Sequence, residues 1–151
     1  MSLENKLANM GHELPKTPKP VAAYTPAVVD RGIVRTSGQL PMRDGELVSE
    51  GRCGTLAVTA ERAYEAALQC ALNALSAAAE AAGGLENLKR VVKVVGFVAS
   101  TDDFFAQPAV INGASDFLTE LFGSAHARSA VGVAALPLNA TVEVEVEFEL
   151  A

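Results

Sequence analysis

In 151 residues the sequence has no tryptophan, two tyrosines, two cysteines and two histidines, and aromatic side chains make up only 5% of it. Each scarcity excludes something. Cys53 and Cys70, with no Cys-x-x-Cys pair and no Cys/His cluster, offer neither a disulfide framework nor a structural zinc site. No apolar run approaches the ~18 residues of a membrane span, and the opening Met1 to Lys6 has no signal-peptide core, so a cytoplasmic protein with no membrane partner is expected. Basic side chains are also few, 12 against 18 acidic, for a net charge of -6. Lys89-Arg90 is the one adjacent basic pair, too little to neutralise a run of phosphates, so nucleic acid is an unfavoured partner. A small anion needs only one well-placed arginine, and the acidic balance does not exclude that.

What the chain has in excess is alanine, 27 residues, within a composition that is half apolar. A core of small side chains lets backbones approach closely, and ~150 residues suit one globular domain. Residues 1–20 stand apart: Leu3, Leu7 and Met10 follow helical spacing, then Gly11, Pro15, Pro18 and Pro20 end it, which predicts a short helix and an extended arm. Residues 21–151 form the domain proper. Ala23 to Val29 and Gly32 to Ser37 read as a hairpin across Asp30-Arg31-Gly32, and Arg43-Asp44-Gly45 is a second turn before a short strand at 46–48. Thr59 caps an Ala-rich helix to about Ala82, ended by Gly83-Gly84. The β-branched run Val91 to Val98 predicts a central strand, and Pro108 opens a second helix to about Leu121, in which Gly113 marks close packing. Ser129 to Leu136 and Val142 to Leu150 read as the last two strands. In the final one Val142, Val144, Val146, Phe148 and Leu150 alternate with Glu143, Glu145, Glu147 and Glu149. The order ββ(β)αβαββ predicts an α+β domain with a mixed sheet and two helices on one face.

Arg128 precedes a strand whose same-face positions Ala130, Gly132 and Ala134 are all small. The final strand is read as its neighbour, so the arginine and Glu143 or Glu145 are expected to share a floor with room above it. An arginine fork suits a carboxylate, and a nearby glutamate can deprotonate water. The plainer alternative is a salt bridge between Arg128 and one of these glutamates on a solvated sheet face. His126 is read as a loop histidine, with acid/base work a lesser alternative. Ser37 lacks a nucleophile elbow and a His/Asp partner, though its hydroxyl can bind a ligand. No spacing suggests a metal site, and no Gly-rich turn a nucleotide, so no cofactor is expected.

Particular strings carry more than periodicity. Thr36-Ser37-Gly38-Gln39-Leu40-Pro41, Leu72 to Leu75, Gly83-Gly84-Leu85, Val91 to Val98, and His126-Ala127-Arg128-Ser129 through Leu136-Pro137, followed by Val142-Glu143-Val144-Glu145, occur in one order. Together they resemble the RidA/YjgF family of reactive intermediate deaminases, also called the L-PSP endoribonuclease family, over residues 21–150. The arm, Leu14-Pro15 through Tyr24-Thr25-Pro26, resembles that family's longer branch. The resemblance implies a chorismate-mutase-like fold, a homotrimer with clefts between subunits, and hydrolysis of 2-imino or enamino acids to 2-keto acids and ammonia. It carries the substrate carboxylate to Arg128, the water-orienting role to Glu143, and pocket-lining roles to Tyr24, Ser37 and Asn112. Ala130 stands where the family often has cysteine, so a backbone role survives there and a thiol role does not. A carboxylate-binding trimer without catalysis is the alternative, and endoribonuclease activity is less favoured, given the scattered basic residues and the lack of a histidine pair.

Overall fold

The computed structural model describes residues 1–16 and 23–151. The boundary expected between residues 20 and 21, and the prolines at 18 and 20, lie outside the described residues. Helix α1 (Leu3–Asn9) takes Ser2 as its N-cap, and the Glu86 carboxylate accepts from the Leu3 and Glu4 amides at 3.0 and 2.9 Å. Its Leu7 is buried in the core, so this turn of helix is docked on the domain.

The hairpin forms as β1 (Ala27–Asp30) and β2 (Ile33–Thr36), with Arg31 and Gly32 both at positive φ in a turn that matches strand twist. β1 is shorter than expected because Pro26, lacking an N–H, precedes it. A small ribbon follows, β3 (Met42–Arg43) and β4 (Glu46–Leu47), around Asp44-Gly45. Helix α2 (Ala60–Ala82) starts where Thr59 accepts from the Arg62 amide and ends at Gly83, whose left-handed φ of 82° frees the chain to leave. β5 (Leu88–Ala99), α3 (Gln107–Phe122), β6 (Ala127–Val133) and β7 (Val142–Leu150) complete the chain. β6 stops at Val133, short of the expected Leu136, because its partner β5 ends there, Ala99 opposite Val133.

The five-stranded sheet runs β1-β2-β7-β5-β6. This corrects one expectation: the last two strands in sequence are not neighbours, since β5 lies between them, parallel to β6 and antiparallel to β7. A crossover through α3 makes β6 parallel and places it on the far side of β5. Both long helices cover one face, where Val142, Val144, Val146 and Phe148 of β7 and Val91, Val94 and Val98 of β5 are buried. The four glutamates of β7 occupy the other face, half-buried. No described helix is long and apolar enough to cross a membrane.

Small residues set the spacing between layers. A Cβ at Gly113 would overlap the Tyr64 carbonyl of α2, and one at Gly96 of β5 would overlap Ile111 of α3. Gly113→Ala adds about 1 kcal/mol of intrinsic helix propensity, yet separating α2 from α3 costs more, so a net loss of about 2 kcal/mol is expected. Urea denaturation checks it; a variant as stable as the parent would show that the approach is not tight.

Candidate functional site

Two clusters gather the residues singled out from sequence. The first lies where β2 runs on past Thr36. Gln39 exchanges backbone hydrogen bonds with Val144 of β7 at 2.8 and 3.0 Å, so the Ser37-Gly38-Gln39 segment is held beside β7. The Glu143 side chain folds over Gly38: a Cβ there would stand 2.8 Å from the Glu143 carboxyl. Ser37 donates its hydroxyl to the Thr25 carbonyl at 2.6 Å, and its amide to the Pro26 carbonyl at 2.7 Å. These bonds bring Tyr24, exposed, to the same end of the sheet as Ser37 and Glu143.

The second cluster is on edge strand β6 and α3. Arg128 pairs with Val94 of β5, whose side chain faces the helices, so the guanidinium rises on the helix side. There its Nη1 donates to Asn112 Oδ1 at 2.7 Å and lies 3.4 Å from Ser115 Oγ. Ser115 Oγ in turn is 2.9 Å from His126 Nε2. The small face of the strand is explained by this packing under α3: Ala130 packs against the core, and Gly132 leaves room for Gln107 and Ser100. Val133 accepts from the Ser100 amide, so strand alternation turns the backbone groups of Ala130 and Gly132 outward at the free edge. The carbonyl of Ala130 is therefore open to a ligand whatever the side chain.

The two clusters do not meet within one chain. Arg128 lies opposite Val94 and Glu143 opposite Phe97, on the other face of the sheet. Their Cα atoms are thus separated by two strand spacings, ~10 Å across, and three residues, ~10 Å along. The shared floor expected from sequence is absent because β5 intervenes. Two clefts of the chain lie elsewhere, one between the starts of α2 and α3 beside Tyr64 and Phe104, the other beneath the arm at Leu14 and Pro15.

The plainer alternative for Arg128 fails as well. Among the described residues its partners are neutral, and the ion pairs of the glutamate row are at its other end, Arg35 to Glu147 at 3.5 Å and Arg90 and Lys89 to Glu149. Glu143 and Glu145 have no salt-bridge partner among the described residues. Burial first, and the charge of Glu145 second, push the Glu143 carboxyl above its ordinary pKa, whereas the Arg90 hydrogen bond pulls Glu149 down. A carboxylate with a raised pKa is the better proton acceptor near neutrality. Cys53 and Cys70 are free and buried, and burial raises both thiols above their ordinary pKa. Among the described residues no three His, Cys, Asp or Glu side chains converge as a metal would require.

Sequence reasoning passed over Ser115 and read His126 as an ordinary loop residue. Ser115 is three residues beyond Asn112 and hence on the same helix face, but nothing in the sequence places that face beside His126.

Because the folded state holds a proton on Glu143 more readily than the unfolded chain, its ionisation opposes folding fully above the raised pKa, and the penalty fades as pH falls from there to the ordinary carboxylate pKa of the unfolded chain. Glu143→Gln is therefore expected to raise the melting temperature at pH 7, with the gain shrinking as pH falls through the Glu143 titration. Thermal melts across pH 4 to 8 read this; a variant less stable than the parent at pH 7 would contradict it.

The comparisons agree with this architecture. Residues 14–148 match the family model described as Endoribonuclease L-PSP. Protein TCP17 of Trypanosoma cruzi is 40% identical over 147 residues, covering 95% of this chain and 91% of that protein. A 2-iminobutanoate/2-iminopropanoate deaminase of Dermatophagoides farinae is 36% identical over 134 residues, with 87% and 88% covered. The crystal structure of an Agrobacterium tumefaciens protein of unknown function superposes with a TM-score of 0.90 at 39% identity, covering 99% of this chain and 92% of that one. The chain belongs to the Endoribonuclease L-PSP family, that of the RidA and YjgF proteins, and has their α+β fold.

Proposed function

We propose that the protein hydrolyses 2-imino and enamino acids to 2-keto acids and ammonia, in clefts that a second copy of the chain completes. The observation that carries the reading is the state of Arg128: its guanidinium is fixed through Nη1 by neutral groups, with no carboxylate partner among the described residues. Two N–H groups on Nη1 are directed to α3, which leaves the three on Nε and Nη2 as a fork for a carboxylate approaching from the side. The deaminase name borne by the 36% identical relative supports the same chemistry.

In this mechanism Arg128 binds the substrate carboxylate and the free Ala130 carbonyl accepts from the imine nitrogen's N–H. Glu143 of a second copy takes a proton from water as the oxygen attacks the C=N carbon. Glu143 returns that proton to nitrogen, giving a neutral carbinolamine; the new hydroxyl then gives up its own proton, which passes to nitrogen as the C–N bond breaks, so that C=O forms and ammonia leaves the keto acid. Water is the only co-reactant. Tyr24 and Ser37, beside Glu143, line the same wall, and Asn112 keeps Arg128 aimed. A homotrimer of this kind places three such clefts between copies, and its setting is the cytoplasm. The separation of Arg128 from Glu143 within one chain supports a shared site, since neither can reach a molecule held by the other.

Ammonia release from imino acids generated in situ by an amino acid oxidase tests the reading. Arg128→Ala is expected to lose about 100-fold or more in kcat/KM, the loss of a charged bidentate contact, with an unchanged circular dichroism spectrum. Activity equal to the parent's would remove the assigned role. Glu143→Gln is expected to bind a 2-keto acid about as well as the parent while losing about 100-fold or more in kcat. Parent protein that binds the keto acid but releases no ammonia would instead mark a carboxylate-binding trimer without catalysis.

A further inference from the structure

We infer that His126 is a positioning residue: through Ser115 it holds the Arg128 guanidinium against α3, so that its Nε and Nη2 edge stays presented to the substrate carboxylate. This deepens the reading of Arg128 as the carboxylate site and rests on it.

Three side chains converge on one oxygen and its neighbour. Nη1 of Arg128 carries two hydrogens; Asn112 Oδ1 takes one at 2.7 Å, and Ser115 Oγ lies in reach of the other at 3.4 Å. A serine hydroxyl is a free rotor whose lone pairs follow its strongest partner. Here that partner is His126 Nε2, at 2.9 Å. Nδ1 of the same ring is buried with no partner among the described residues. An N–H at that position would be a desolvated, unpaired donor, which costs more than an unpaired acceptor, so the proton of the neutral ring belongs on Nε2. Nε2–H then donates to Ser115, occupies one lone pair of Oγ, and leaves the other directed at Nη1. The serine becomes a fixed acceptor for both neighbours.

The charge state fits this role. Burial first, and the nearby Arg128 second, lower the His126 pKa below its ordinary value, which keeps the ring neutral at pH 7. A neutral ring anchors the arginine without competing for the incoming carboxylate. The side chain contacts α3 and not the free edge of β6, which separates it from an acid or base that touches substrate.

The experiment pairs a binding measurement with a direct reading of Arg128. Calorimetric titration with pyruvate as the 2-keto acid probe, and turnover of the corresponding imine, are measured for the parent, His126→Ala, His126→Gln, Ser115→Ala, the Ser115→Ala/His126→Ala double variant and Arg128→Ala. Rotation of the Arg128 guanidinium about its Nε–Cζ bond is followed by nitrogen-detected NMR in the same proteins. His126→Ala is expected to bind pyruvate about fivefold more weakly and to raise KM about fivefold with kcat nearly unchanged, the loss of about one hydrogen bond's worth of order. Guanidinium rotation is expected to speed up. Gln, whose amide can donate over a similar reach, restores both, and the double variant is no worse than Ser115→Ala alone. Unchanged Arg128 rotation in His126→Ala overturns the inference, as does a fall in kcat with KM unchanged, the mark of a general loss of folded enzyme. If Arg128→Ala alters neither binding nor turnover, the carboxylate reading fails; slow guanidinium rotation that depends on His126 then still separates the anchoring from that failure.

Discussion

The closeness of α3 to its neighbours is the constraint on which the site depends. Gly113 lets α3 lie against the α2 backbone, and Gly96 lets Ile111 sink onto the sheet. Only at that spacing do Asn112 and Ser115, on the flank of α3, reach over an edge strand to the guanidinium of Arg128. Ala-rich α2 serves the same end, since eight of its fourteen buried residues are alanine and let the helical layer sit low. What begins as a compositional excess of alanine and a shortage of aromatics thus becomes a distance, and the distance becomes the orientation of one cation.

A second constraint comes from topology. The α3 crossover puts β6 beyond β5, so Arg128 and Glu143 end on different strands and different faces. Within one chain this arrangement serves no common ligand. Each cluster is nonetheless ordered by bonds of its own: Glu143 is housed by Gly38 and raised in pKa by burial, and Arg128 is braced by α3. In the proposed reading these are two half-sites, one cationic at an edge and one carboxylic on an open face, that complement each other across copies. In the proposed assembly the same contact that joins copies also creates the cleft, and the chemistry is then inseparable from association.

Much of this was legible in the sequence. The period-2 alternation of β7 fixed both its limits and its faces, Thr59 and Gly83 bounded α2, and Gly113 announced the tight helix contact. The motif strings identified the family and its fold. Three things were not legible. Neighbouring strands in sequence were taken as neighbours in space, and the parallel crossover that separates β6 from β7 has no local signature. The salt bridge weighed for Arg128 was a charge-pairing guess that neutral Asn112 and Ser115 displace. His126 and Ser115 are unremarkable as residue types, and their link exists only because two residues eleven apart in sequence, one on α3 and one just before β6, are packed side by side.

The claim that one site is shared by two copies is tested most directly by complementation. Arg128→Ala and Glu143→Gln, each inactive alone, are mixed in equal amounts, dissociated and reassembled, and imine hydrolysis is assayed. Random reassembly gives about one cleft in four an intact arginine from one copy and an intact glutamate from its neighbour. The account predicts recovery of about a quarter of the parent activity; a mixture that exchanges subunits and stays inactive would contradict it.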